Sequence, residues 1–184
     1  EKSLRGREND PVAYVSWHEA IRFCDFLATA WRGRLPNGFV VTLPSEAEWE
    51  KAARGGERVP AGYQWATTDQ LTEKLETVST YAQMPNPFPT RAYPWGDSFD
   101  ADKVNTDQTI GEASAVGCYA TGSSPYGCED MSGNVWEWTR SLWAGREFAH
   151  PNEPDDPSRD DPDAGDDVPR VVRGGSWFID RDLA

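Results

Sequence analysis

Nine tryptophans, at positions 17, 31, 49, 65, 95, 136, 138, 143 and 177, are spread through a chain that has no long aliphatic run. The apolar area for a core therefore comes in large, separate indole units. A chain of this kind buries its interior with short elements joined by many loops and needs neither long helices nor a continuous sheet. Its 184 residues fit one domain large enough for a sizeable core. A mean hydropathy of −0.72 and 14 prolines point to the same loop-rich unit.

The formal charge of −13 excludes a phosphate-backbone partner, because that affinity comes from clustered Lys and Arg releasing counterions. Membrane insertion is not expected either, since no run of eighteen apolar residues exists. The opening Glu1 to Arg7 has no signal-peptide apolar core. The chain reads as soluble, and its compartment stays open. Cys24, Cys118 and Cys128 cannot all pair within the chain, and none forms a C-x-x-C motif. Free core thiols are the plain reading, with a Cys118–Cys128 disulfide across the turn-rich segment as the alternative.

Ser16-Trp17-His18-Glu19 is a capping box ahead of Ala20, Phe23, Cys24, Leu27 and Trp31 at helical spacing. A second box, Ser45-Glu46-Ala47-Glu48, leads through Trp49, Ala52 and Ala53 to a left-handed stop at Gly55-Gly56. Strand candidates are Phe39 to Leu43, Ala115 to Tyr119, Val135 to Thr139 and Arg170 to Phe178. Residues 57–94 read as an insertion loop, weakly helical from Asp69 to Glu76, and residues 150–168 as a solvated acidic loop. Helices early and strands late give an α+β fold in a single domain over 1–184, reading as incomplete at both ends.

Ordinary catalytic constellations are missing. His18 and His150 lie far apart with no cysteine pair nearby, which supports neither a zinc site nor a nucleophilic triad. Gly55-Gly56 and Gly174-Gly175 lack the framing of a phosphate loop. In Gly133-Asn134-Val135-Trp136-Glu137-Trp138-Thr139 the alternation sets Glu137 on the face opposite the two indoles. There a carboxylate beside Asn134 suits a cation; closure of a turn by Asn134 and pairing of Glu137 with an arginine is the alternative. Trp136 and Trp138 are expected in the core, and Arg173 against a carboxylate.

Five blocks in one order carry a resemblance. They are Pro11 to Trp17, Thr42 to Gly56, Tyr93-Pro94-Trp95-Gly96-Asp97, Tyr126 to Thr139, and Arg173-Gly174-Gly175-Ser176-Trp177. Together they resemble the formylglycine-generating-enzyme, or sulfatase-modifying-factor, family, whose domain is an irregular C-type-lectin-like fold. The resemblance implies two helices, short antiparallel strands and many loops. Catalytic members hold Cu(I) on two cysteines after the Gly-Gly-Ser-aromatic block, and soft thiolates suit that ion. Here those positions read Ile179 and Ala184, so copper chemistry is not expected. The resemblance also implies structural Ca²⁺ on Asn134, Val135 and Glu137, through oxygen ligands that a hard cation prefers. It puts a second calcium position near Asn105, where Gln108 replaces the expected acidic ligand.

The favoured function is a non-catalytic ligand-binding or display module for a protein or small molecule. Its surface would be Trp177, Phe178, Ile179, Asp180, Arg181 and Asp182, running on to Ala184. The same fold family includes the variable proteins of diversity-generating retroelements, which place their changeable positions there. The alternatives are an oxygen-dependent oxidase of the formylglycine-generating or sulfoxide-synthase type with metal ligands outside this chain, or an accessory sensory domain of a signalling protein.

Overall fold

The computed structural model describes residues 9–35, 37–62, 82–143, 157–165 and 167–180. Helix α1 spans Trp17–Ala30 and α2 spans Glu46–Arg54, each opened by its capping box. The Oγ of Ser16 accepts from the Glu19 amide at 3.3 Å, and the Glu19 carboxylate accepts from the Ser16 amide at 2.8 Å. Ser45 and Glu48 repeat the exchange at 3.1 and 2.8 Å. Gly55 ends α2 at φ 77°, though its ψ of 170° makes the stop extended rather than left-handed helical.

Strands β1 (Arg58–Pro60) and β2 (Gln83–Pro85) pair antiparallel, as do β3 (Glu137–Leu142) and β4 (Arg170–Arg173). Three 3-10 turns complete the described elements, at Ala101–Lys103, Ala120–Gly122 and Pro157–Asp160. The architecture is α+β with short antiparallel strands and long loops, as expected. Helix α2 packs on β3 and β4, and its Trp49 and Ala53 meet Met131, with Ala52 and Cys128 at the edge. Helix α1 is tied on through its first turn. The Trp17 indole donates to the Thr139 carbonyl at 2.9 Å, and the Arg170 guanidinium lies 4.0 Å over the Trp17 ring.

Several expectations are corrected. Phe39 to Leu43 forms no strand, and Phe39 and Val40 are exposed. The carbonyls of Leu43 and Pro44 are instead captured by Arg140, through its guanidinium at 2.9 Å and its amide at 2.8 Å. Ala115 to Tyr119 is a run of turns with Gly117 at φ 81°. The strand expected from Val135 begins at Glu137, because Asn134 sits at φ 58° and breaks extension. The strand expected to reach Phe178 stops at Arg173, where Gly174 and Gly175 take φ of 88° and 75°. On α1, Phe23 and Phe26 are exposed and stack on each other at 6.3 Å, so the inward stripe narrows to Trp17 and Cys24.

The 57–94 insertion is closed at its base by the β1–β2 ribbon, while Asp69 to Glu76 lies outside the described residues. The acidic segment is docked where it is described. Asp160 accepts from the Ser141 hydroxyl at 2.6 Å and from Arg140 Nε at 3.2 Å, and Arg159 pairs with Glu46 at 2.7 Å. All three cysteines are free; Cys24 is buried, but Cys118 is exposed and so is not a core thiol. Among the described residues no helix is long and apolar enough to cross a membrane.

Candidate functional site

The site is organised by Asn134, which is 1% exposed and left-handed at φ 58°. Asparagine tolerates this conformation better than most side chains because its short amide bonds locally. Its Oδ1 accepts from the Ser114 amide at 3.0 Å, and its Nδ2 donates to the Ser114 carbonyl at 3.2 Å. Its own amide donates to the Asn105 carbonyl at 2.8 Å, and its carbonyl accepts from the Trp177 amide at 2.9 Å. One residue thus joins three loops. Gly133 supports the crossing at φ 73°, where a Cβ would lie 2.3 Å from the Asn105 carbonyl oxygen.

The segment after β4 is held by its main chain. The Trp177 carbonyl accepts from the Gln108 amide at 2.8 Å, and the Ile179 carbonyl accepts from the Asp107 amide at 3.0 Å and the Thr106 hydroxyl at 2.9 Å. Trp177 is half-buried with its ring edge-on to Phe178 at 5.6 Å, and Phe178 is 61% exposed. Asp180 is exposed. Arg181, Asp182 and Ala184 lie outside the described residues.

Beside this segment runs a cleft of about 840 Å³. Its walls include Tyr14, Trp136, Trp138, Ser176 and Trp177. Trp138 is anchored by its indole on the Val15 carbonyl at 3.1 Å. Trp136 is 46% exposed, which corrects its expected place in the core. Tyr14 is 86% exposed and adopts φ 60°, a conformation that bulky side chains rarely take and that clusters at binding sites. Sequence reasoning did not single out Tyr14, although the Pro11 to Trp17 block contains it.

Glu137, which also borders this cleft, reaches α2 with its carboxylate, where Trp49 donates to its Oε2 at 2.5 Å. Burial pushes its carboxyl up to about 7, the Trp49 bond opposing and Asp130 adding to the rise. Burial also raises Asp130. Arg173 is the cross-strand partner of Glu137, yet no ion pair joins them, and the guanidinium lies 5.0 Å over the Trp49 ring instead. The expected Arg173–carboxylate contact is thereby corrected to an indole. The alternative arginine partner for Glu137 gives way to Trp49, whose donor role no spacing in the sequence signals.

The oxygens suit a hard cation in part. Asn105 is fully buried, and its Nδ2 donates to the Glu112 carbonyl at 3.0 Å while its Oδ1 meets no donor. A buried unsatisfied oxygen is costly, and a bound ion would relieve it. Glu137 likewise has a buried carboxylate with one indole donor. Asn134 fits less well, because its Oδ1 already accepts from Ser114. Among the described residues no three His, Cys, Asp or Glu side chains gather for a metal, so a cation here would draw on amide and carbonyl oxygens. Thiolate-bound copper does not fit: Ile179 stands after Ser176-Trp177-Phe178, and no cysteine lines the cleft among the described residues.

Residues 1–183 match the model of the sulfatase-modifying factor enzyme 1-like domain. The chain is 31% identical to the mouse "Inactive C-alpha-formylglycine-generating enzyme 2", over 95% of the chain and 40% of that relative. It is 30% identical to the formylglycine-generating enzyme of Thermomonospora curvata, over 96% of the chain and 47% of that protein. Identity to the hercynine oxygenase of Mycolicibacterium thermoresistibile is 31%, over 95% of the chain and 31% of that protein. The chain thus spans less than half the length of these relatives. The match over nearly the whole chain establishes that the chain belongs to the sulfatase-modifying factor, or formylglycine-generating-enzyme, domain family.

Proposed function

We propose that this domain is a non-catalytic ligand-binding member of its family, with the aromatic cleft and the adjoining segment 177–184 as its binding surface. The observation that carries the reading is the pinned turn after β4. The amides of Asp107 and Gln108 and the hydroxyl of Thr106 hold the Trp177 and Ile179 carbonyls while Phe178 is exposed. Rigid aromatics presented on a fixed backbone bind with little ordering cost. Ile179 at the first copper-cysteine position and the similarity to a relative named inactive support the absence of oxidase chemistry.

The charge of −13 favours a protein or small-molecule ligand over nucleic acid. Structural Ca²⁺ belongs to this proposal, with Asn105 as its best-supported ligand and Asn134, Val135 and Glu137 as the second set. A specific form of the reading is a variable protein of a diversity-generating retroelement; a gene with no adjacent reverse transcriptase and template repeat excludes that form. The similarity to hercynine oxygenase favours one competing reading, an oxidase whose metal donors lie on the remainder of a longer protein.

Oxygen uptake separates the two. The full-length protein, loaded with Cu(I) or Fe(II) and given a thiol substrate, is expected to consume no oxygen above the buffer rate, and metal-dependent uptake would overturn the binding reading. Peptide and glycan arrays probed with the wild type, Phe178→Ala and Tyr14→Ala locate the surface. A hit retained unchanged by both variants places binding elsewhere.

A further inference from the structure

A second cavity, of about 480 Å³, lies on the other side of Trp136 and Val172 from the cleft, both residues lining the two spaces. Its composition runs against that of the chain. Three arginines line it, Arg54 from α2, Arg91 from the loop after β2 and Arg173 from β4, together with the indoles of Trp49 and Trp136. No carboxylate is among its described lining residues, although Asp and Glu outnumber Lys and Arg by 31 to 18 in the sequence.

The charges of these arginines are unequally matched. Arg54 pairs with Glu50 at 2.5 Å. Arg91 is 6% exposed and donates to the Phe88 carbonyl at 2.9 Å, the Pro94 carbonyl at 2.8 Å and the Asn86 side-chain oxygen. Those acceptors satisfy its N–H groups, and the carboxylate that acts on its charge, Asp97, does not line the cavity. Arg173 lies over Trp49, and its buried Nε has no hydrogen-bond partner. Among the described residues neither Arg91 nor Arg173 lies within ion-pair distance of a carboxylate. A buried guanidinium without a counter-charge is costly, and an oxyanion meets a guanidinium through two parallel bonds.

We propose that this cavity binds a small organic oxyanion, with Arg173 as its principal anchor, Arg91 supplying field and the indole of Trp136 bearing on a flat apolar body. The chemical class is an aromatic carboxylate or an aryl phosphate. The site does not depend on the cleft or on a calcium ion.

The test uses benzoate, phenyl phosphate, inorganic phosphate and benzylamine as probes, titrated into ¹⁵N-labelled full-length protein. The indole N–H signals of Trp49 and Trp136 are assigned with the Trp→Phe variants. Benzoate or phenyl phosphate is expected to shift both signals saturably and benzylamine neither; which of the two binds tighter identifies the anion's source. Arg173→Gln is expected to weaken binding by at least about tenfold; should it fail to keep its near-ultraviolet circular dichroism, Arg173→Lys, which keeps the charge and loses the paired donors, is expected to weaken binding as well, and full affinity in it would equally overturn the proposal. Trp136→Ala is expected to weaken the aromatic probes and leave inorganic phosphate unchanged. Absence of saturation by either aromatic anion, an equal response to benzylamine, or full affinity in a folded Arg173→Gln protein would overturn the proposal.

Discussion

Trp49 donates its indole N–H from helix α2 to the carboxylate of Glu137 on β3, at 2.5 Å. The same indole carries Arg173, the residue opposite Glu137 in β4, on its face. Helix and sheet are thus joined at a ring that meets an anion at its edge and a cation on its face, each by the electrostatics of that part of the indole.

Trp49→Phe keeps most of the apolar contact and removes the donor. Leaving Glu137 without its partner is expected to cost about 1–3 kcal/mol. Urea unfolding at pH 5 and pH 8 checks the assignment, since the loss is larger where the carboxylate is ionised. An equal loss at both pH values would mean that the indole is not bonded to the charged group.

Glu137 also sets a pH dependence. Its folded carboxyl is raised from the ordinary 4.5 to about 7 by burial, so between those values the unfolded chain ionises while the folded one keeps its proton. Stability from this group is therefore expected to fall as pH rises through that window, by at most about 1.4 kcal/mol per pH unit, and to level off above it. Denaturant titrations in a chelator, wild type against Glu137→Gln, read the difference; identical slopes would refute the shift.

Gly133→Ala places a Cβ 2.3 Å from the Asn105 carbonyl oxygen and 2.7 Å from a Val104 methyl, at φ 73°. Gly111 has a comparable φ of 85° with nothing within 4 Å. Gly111→Ala is expected to cost about 1–2 kcal/mol from backbone strain alone, and Gly133→Ala to cost several times more or to prevent folding. Thermal melts of the pair separate crowding from strain.

Calcium is expected to raise the melting temperature over that in a chelator by several degrees, and magnesium to raise it less. Asn105→Ala should reduce the calcium increment. A calcium increment identical in wild type and Asn105→Ala would remove Asn105 from the ligand set.

Local signals were readable and pairing partners were not. The capping boxes at Ser16 and Ser45 are contacts between residues three apart, so spacing alone finds them. Phe39 to Leu43 has strand composition, but extended residues need a neighbour with free main-chain groups, and Arg140 takes the carbonyls at its end. The family blocks pointed to the segment after β4 as the candidate site. They did not disclose that Asn134 is bonded to Ser114, that Glu137 meets Trp49 or that Arg173 rests on an indole, because each contact spans at least twenty residues and is settled by how loops cross.

The turn that presents Phe178 is attached through the amides of Asp107 and Gln108, the carbonyl of Asn134 and the Thr106 hydroxyl. Nothing in that attachment reads the side chain at 178. On the binding reading proposed above, replacements there would alter the ligand while leaving the melting temperature nearly constant, so the ligand could diverge between closely similar chains without a compensating change elsewhere.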